Sequence, residues 1–272
     1  MSMKKVISIS PNKTSFSPLL FSGDLNKGLE YANKFGYDGV EISIGRPEQI
    51  NLIELKPLLE KYNLQVYGIA TGQIYYNDGN SLYSVQEKIC LSTIKRLNSI
   101  IDVAKELHSM VIIGGVRGKL GQSMNSKQIK LGIKALKEVA EYSNDKDVVI
   151  LLEPINRYET DIINTLEEGR EVISQINLPN LKLLADTFHM NIEEVSFKDS
   201  LIKVKDYLGY VHFADSNRLA PGWGHTNFAE IFKTLTKIKY SGPIGIEVLP
   251  KPNDYEAAKQ GVRFLNKLFD NY

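Results

Sequence analysis

One cysteine, Cys90, stands in 272 residues. A single thiol excludes an intrachain disulfide and a cysteine-built metal cluster, and it suits a reducing compartment such as the cytoplasm. An excess of either charge is also lacking. The 33 lysines and arginines meet 32 aspartates and glutamates, for a formal net charge of +1. Such a chain has no field to draw a nucleic-acid backbone or an anionic membrane, so neither is an expected partner. Long apolar runs are missing too. No stretch approaches the ~20 residues a membrane-spanning helix needs, and the apolar run after Lys4-Lys5 is too short for a signal-peptide core. Asn12-Lys-Thr14 matches a glycosylation acceptor, but without a secretion signal it reads as chance. There is no low-complexity segment or linker, and residues 1–272 read as one domain.

What the chain has, repeatedly, is a short apolar run followed by apolar residues at helical spacing. Strands are expected at Val6–Ile9, Gly39–Ile44 (carrying Glu41), Leu64–Ala70, Met110–Ile113, Val148–Leu152, Leu181–Ala185, Tyr210–Ala214 and Ile244–Glu247. Helices are expected through Phe35 from a cap at Asp24 or Asn26, and at Ile53–Tyr62, Val85–His108 and Ser126–Tyr142. Four more follow at Thr165–Ile176, Ser200–Leu208, Asn227–Lys239 and Tyr255–Leu268, with Thr71–Ser84 a polar loop. Eight strand–helix units imply a parallel sheet closed into an α/β barrel, the (β/α)8 TIM barrel. A doubly wound open sheet usually carries a glycine-rich phosphate turn after its first strand. Here that strand runs into Ser10-Pro-Asn-Lys13.

Strand five ends in Glu153, strand six in Asp186, strand seven carries His212 and strand eight ends in Glu247, each about one strand–helix unit from the next. An acidic residue ending one strand is most often an ion-pair or capping residue, and a histidine on an apolar strand is most often a satisfied core residue. On four consecutive strands of a barrel, however, these side chains converge on one mouth. Three carboxylates alone would repel each other, so a cation is their natural occupant. The donor set favours Mn²⁺, Mg²⁺ or Co²⁺, with Zn²⁺ also compatible. Pro154 restricts Glu153 to extended backbone and so holds it as the last strand residue.

The segments Glu153-Pro-Ile-Asn-Arg-Tyr-Glu159, Asp186-Thr-Phe-His189-Met-Asn191, His212-Phe-Ala-Asp-Ser-Asn-Arg218, Pro221-Gly-Trp-Gly224 and Ile246-Glu247 resemble the motifs of the sugar phosphate isomerase/epimerase, or xylose isomerase-like, TIM barrels. This group includes the ketose 3-epimerases and is related to hydroxypyruvate isomerase and endonuclease IV. Within it, Ala70–Gln73, Ile112–Gly118 and Glu153–Glu159 are most similar to 5-keto-L-gluconate epimerases. The resemblance implies an isomerase that inverts the carbon beside a ketone through an enediolate, acting on a keto-sugar or keto-sugar acid. It also implies a homo-oligomer, a dimer or tetramer. Glu153, Asp186, His212 and Glu247 would bind one divalent ion, Mn²⁺ above all. Glu153 and Glu247 would exchange protons on opposite substrate faces. His189 and Arg218 would hold substrate oxygens, and Glu159 a terminal hydroxyl or carbonyl.

Arg117, or Lys119 beside it, is expected to supply a positive charge for an anionic substrate end. Tyr75, Tyr76 and Trp223 either stack on sugar or pack a lid. Aldose–ketose or hydroxypyruvate-type isomerases and ketose-phosphate epimerases would share the enediolate chemistry, and a non-catalytic sugar-binding barrel would need no opposed carboxylates. An endonuclease IV-like enzyme would need further histidines where strands three and four instead end in Ala70-Thr-Gly-Gln73 and Gly114-Gly-Val-Arg117.

Overall fold

The computed structural model of the protein describes residues 3–14 and 18–271. Eight parallel strands close a barrel in sequence order, each hydrogen-bonded to the next and the eighth to the first. They are β1 Lys4–Ile9, β2 Gly39–Ser43, β3 Gln65–Ala70, β4 Met110–Ile113, β5 Ile150–Leu152, β6 Leu181–Asp186, β7 Leu208–Phe213 and β8 Pro243–Ile246. The helices described are α1 Leu25–Phe35, α2 Leu52–Tyr62, α3 Gln73–Asp78, α4 Glu87–Glu106, α5 Ser126–Asn144, α6 Leu166–Ile176, α7 Thr187–Glu193, α8 Phe197–Lys203, α9 Phe228–Lys237 and α10 Asp254–Asn271. The TIM barrel expected from the alternation is therefore the observed fold.

Two apolar layers hold it. The large one lies between sheet and helices, where helices present one stripe each. On α9 the stripe is Phe228, Ile231, Phe232 and Leu235, the spacing of a 3.6-residue turn. The small layer fills the barrel with Val6, Ala70, Ile112, Leu151, Leu184 and Tyr210, supplied by six different strands. Side chains alternate along a strand, so the residue two positions on from an inward one also faces in. Leu151 thus predicts an inward Glu153, Leu184 an inward Asp186 and Tyr210 an inward His212. The apolar layer is the floor on which the polar layer stands.

Helix ends follow the local chemistry. Asp24 caps α1 by accepting from Lys27 N, and Gly36 ends it in the left-handed region at φ 83°. Thr165 and Glu168 form a reciprocal capping box on α6. Three expectations need correction. The loop expected at Thr71–Ser84 contains α3, too short for its periodicity to register. The loop expected after strand six is α7, started by Asp186, whose side chain accepts from Phe188 N at 2.7 Å. The helix expected at Ser200–Leu208 lies earlier, because Ser196 caps it, and Leu208 already belongs to β7.

Candidate active site

Glu153, Asp186, His212 and Glu247 come together at the C-terminal mouth. All four are buried, and each offers one ligand atom within 4.8 Å of the others'. His212 stands opposite Asp186 on β6 and Gly245 on β8. A Cβ at position 245 would lie 2.9 Å from His212 Cδ2, so only glycine leaves room for the imidazole. His212 Nδ1 is 3.7 Å from Glu153 Oε1, from Asp186 Oδ2 and from Glu247 Oε2.

These residues fit a divalent cation by their own chemistry. His212 Nδ1 is fully buried and has no hydrogen-bond partner, an orphaned acceptor or donor aimed at three carboxylates. Donors about 2.1 Å from a shared ion stand roughly 3 Å apart at right angles and ~4.2 Å apart in line, which brackets the 3.7 Å separations. The other ring nitrogen is already committed, with Nε2 2.7 Å from Glu41 Oε2. Glu41 Oε1 in turn accepts from Ser8 Oγ at 2.9 Å. Ligating histidines characteristically donate their second N–H to a carboxylate, which fixes the ring and the tautomer. The sequence showed Glu41 only as a charge on a strand. The one available signal was an acid between apolar Val40 and Ile42 on a strand buried along its whole length.

Arg218 balances the acidic cluster. Its Nη1 donates to Asp186 Oδ2 at 2.5 Å, and its Nη2 donates to Glu247 Oε2. The guanidinium lies 4.9 Å from the centroid of the Phe188 ring. Burial opposes ionisation of Asp186, but the charges of Arg218, His189 and His212 outweigh it and hold its carboxyl below the usual range. Burial, reinforced by Glu153 and Glu41, pushes Glu247 up to about 8 despite Arg218 and His212. Burial also drives His212 towards neutrality, yet the surrounding acids raise it well above the ordinary imidazole value. His189 moves the other way, lowered chiefly by burial.

A cavity of about 420 Å³ opens over the cluster. Its walls include Glu153, Glu159, His189, Arg218 and Glu247, with Tyr76, Phe188, Ile112, Ile155 and Leu249 supplying apolar surface. Seven of the eight expected site residues therefore meet here or directly beneath it, as ligand candidates or as walls. Asp186 and His212 form part of the floor, within the cluster itself. Glu159 is held at both oxygens, by Asn156 Nδ2 at 2.8 Å and by the Tyr76 hydroxyl at 3.2 Å. Asn156 was not singled out in the sequence, where it reads as an ordinary loop residue.

Arg117 lies elsewhere. It is fully buried and makes no part of the cavity wall. Its Nε donates to Gly114 O, Nη1 to Ile162 O and Ile163 O, and Nη2 to Glu153 O at 2.5 Å. The expected partner for an anionic substrate end is instead a brace that ties the loop after β4 to the loop after β5. Lys119 is taken up by Tyr158 O at 2.6 Å. Among the aromatic candidates, Tyr76 lines the cavity and Trp223 is exposed.

A closed parallel barrel with its acidic and imidazole side chains gathered at the C-terminal mouth defines a TIM-barrel enzyme. The family model described as xylose isomerase-like TIM barrel matches residues 29–268. An L-ribulose 3-epimerase of Methylomonas sp. (strain DH-1) is 34% identical over 237 residues, covering 84% of this chain and 82% of that protein. A 3-dehydro-D-guloside 4-epimerase of Escherichia coli (strain K12) is 27% identical, covering 84% and 88%. The crystal structure of a D-allulose 3-epimerase from Methylomonas sp. superposes with a TM-score of 0.82 at 28% identity, over 98% of this chain and 100% of that one. The chain belongs to the xylose isomerase-like TIM barrel family, among its sugar epimerases.

Proposed function

We propose that the protein is a metal-dependent epimerase that inverts the carbon beside the ketone of an uncharged ketose. One observation carries this reading: Glu153 and Glu247, from strands three apart in the ring, line one cavity around the orphaned Nδ1 of His212. Inversion beside a ketone requires a proton to leave one face of a carbon and another to arrive on the opposite face, so two acid–base groups must flank it. The names of the relatives agree in this respect, since carbon 3 of a 2-ketose and carbon 4 of a 3-dehydro sugar both adjoin the ketone.

A divalent cation held by Glu153, Asp186, His212 and Glu247, with Mn²⁺ the favoured identity, would supply Lewis-acid stabilisation of the enediolate charge. The chain's own groups do the rest. One of Glu153 and Glu247 accepts the proton and the other returns one. His189 and Arg218 hold substrate oxygens, and Glu159, fixed by Asn156 and Tyr76, takes a hydroxyl.

An uncharged substrate follows from the walls. Among the described wall residues Arg218 is the only lysine or arginine, and it stands at the acidic cluster against Asp186 and Glu247, where the proposed reaction uses it on the oxygens beside the ketone. A carboxylate or phosphate end would therefore meet glutamates and apolar surface, which disfavours 5-keto-L-gluconate and ketose phosphates. The test is proton exchange followed by NMR in heavy water, with Mg²⁺-loaded or Mn²⁺-loaded protein and a panel of ketoses, ketohexonates and ketose phosphates. Deuterium is expected at the carbon beside the ketone of a neutral ketose, with the carbonyl unmoved. Carbonyl migration would make the enzyme an isomerase, and no exchange with any sugar would make it a binding barrel.

A further inference from the structure

We infer that Asn156 is a positioning residue that decides which nitrogen of His189 carries the proton. His189 sits in the first turn of α7, 4% exposed, with its ring in the cavity wall. Two N–H groups of Asn156 converge on His189 Nδ1: the side-chain Nδ2 at 2.8 Å and the backbone N at 3.4 Å. A nitrogen facing two donors must be an acceptor. The proton therefore resides on Nε2, the nitrogen 3.9 Å from Asp186 Oδ2 at the edge of the acidic cluster.

This assignment depends on the orientation of the Asn156 amide, which its neighbours fix. Asn156 Oδ1 accepts from Tyr158 N at 3.0 Å, and Nδ2 donates its other hydrogen to Glu159 Oε1 at 2.8 Å. A flipped amide would set its oxygen against the Glu159 carboxylate and its NH₂ against a backbone N–H. Both contacts would be repulsive. One side chain, 1% exposed, thereby governs two cavity walls at once.

The consequence for the proposed reaction is a division of labour. His189 presents a donor to the cavity and no lone pair, so it stabilises negative charge on a substrate oxygen and takes no part in proton abstraction. That task falls to the carboxylates. The consequence rests on the epimerase reading, whereas the tautomer itself does not.

Histidine-labelled protein loaded with diamagnetic Mg²⁺ and studied by long-range ¹H–¹⁵N NMR separates the two. In the wild type, His189 is expected to show an unprotonated, pyridine-type Nδ1 and a protonated Nε2. In Asn156→Asp, a carboxylate faces Nδ1, so the imidazole's single proton should move there from Nε2, which then offers the cavity no donor. With an epimerised ketose, kcat should fall about 10²-fold, as when one preorganised donor is lost, while Mg²⁺ affinity stays within error. A protonated Nδ1 in the wild type would overturn the proposal, as would an Asn156→Asp variant with unchanged tautomer and kcat. The expected tautomer without turnover of any ketose would uphold the tautomer assignment and sink the epimerase reading.

Discussion

Glu41 Oε2 lies 2.7 Å from His212 Nε2, a contact between β2 and β7 that crosses the barrel interior. It completes a chain from Ser8 Oγ through Glu41 and the imidazole to the three carboxylates at the mouth. Glu41 keeps Nε2 protonated and so leaves the Nδ1 lone pair for a cation. Glu41→Gln keeps the shape and removes the charge that makes His212 a better ligand. Mn²⁺ affinity, measured by electron paramagnetic resonance of the free ion, should fall about 10- to 100-fold. An unchanged affinity would reduce Glu41 to a packing residue.

Arg218 and a divalent cation compete for the same oxygens, Asp186 Oδ2 and Glu247 Oε2. Arg218→Met should therefore cost the metal-free protein far more stability than the metal-loaded one. Without metal it leaves a buried, uncompensated acidic cluster, at a cost of about 3–5 kcal/mol. With Mn²⁺ most of that cost disappears, so the rise in Tm on adding saturating Mn²⁺ should be larger in the variant than in the wild type. Calorimetry at pH 8 gives both numbers, and equal rises would contradict the competition. Turnover by the metal-loaded variant should fall, because Arg218 is also part of the cavity wall.

The four-residue cluster was legible in the sequence because it follows a local rule. A short apolar run ends in or carries each acid or imidazole, and the chain repeats that arrangement on four consecutive strands. Glu153, Asp186 and His212 then face in with Leu151, Leu184 and Tyr210 two positions earlier, and Glu247 follows Gly245 at the same spacing. The partners that orient the cluster were not legible. Glu41 is 171 residues from His212, and nothing in the spacing of either shows that β2 and β7 face each other across the interior. Asn156 acts through a tight turn in which its side chain binds Tyr158 N and leaves Nδ2 free for His189 and Glu159. Sequence alone gives the turn residue but not the partners it reaches. Arg117 departs from the role its sequence suggests for a related reason. Three glycines around an arginine suggested a ligand loop, whereas the chain bends there so that the guanidinium can reach four backbone carbonyls.

Cation binding should release protons, and the direction of the pH dependence follows from the shifts. Burial, Glu153 and Glu41 raise Glu247 to about 8, and the surrounding acids hold His212 above its ordinary value against the pull of burial. Both groups thus hold protons at pH 7 in the metal-free protein, and both must lose them to ligate. Affinity should therefore strengthen as pH rises and weaken as pH falls below about 8. Titration calorimetry with Mn²⁺ at pH 7, in two buffers of different ionisation enthalpy, counts the protons directly. Net release is expected, with less released at pH 9 and less at pH 7 in Glu247→Gln. Binding without proton release would mean that the cluster is already ionised.

The brace at Arg117 gives a prediction that separates stability from specificity. Its guanidinium satisfies carbonyls of Gly114, Glu153, Ile162 and Ile163, and it is wholly buried. Arg117→Met removes all four bonds and strands those oxygens, at about 1–3 kcal/mol for each one left unsatisfied. A loss of roughly 3 kcal/mol or more corresponds to a Tm lower by about 6–12 °C for a domain of this size. Glu153 O is one of the four, so the candidate base should also be less well placed and kcat should drop. Specificity should not move, because no part of the guanidinium reaches the cavity. The ratio of kcat/KM for a neutral ketose to that for the corresponding ketohexonate should match the wild type. A ratio that shifts tenfold towards the neutral sugar would return Arg117 to the role its sequence suggested, as the partner of an anionic end.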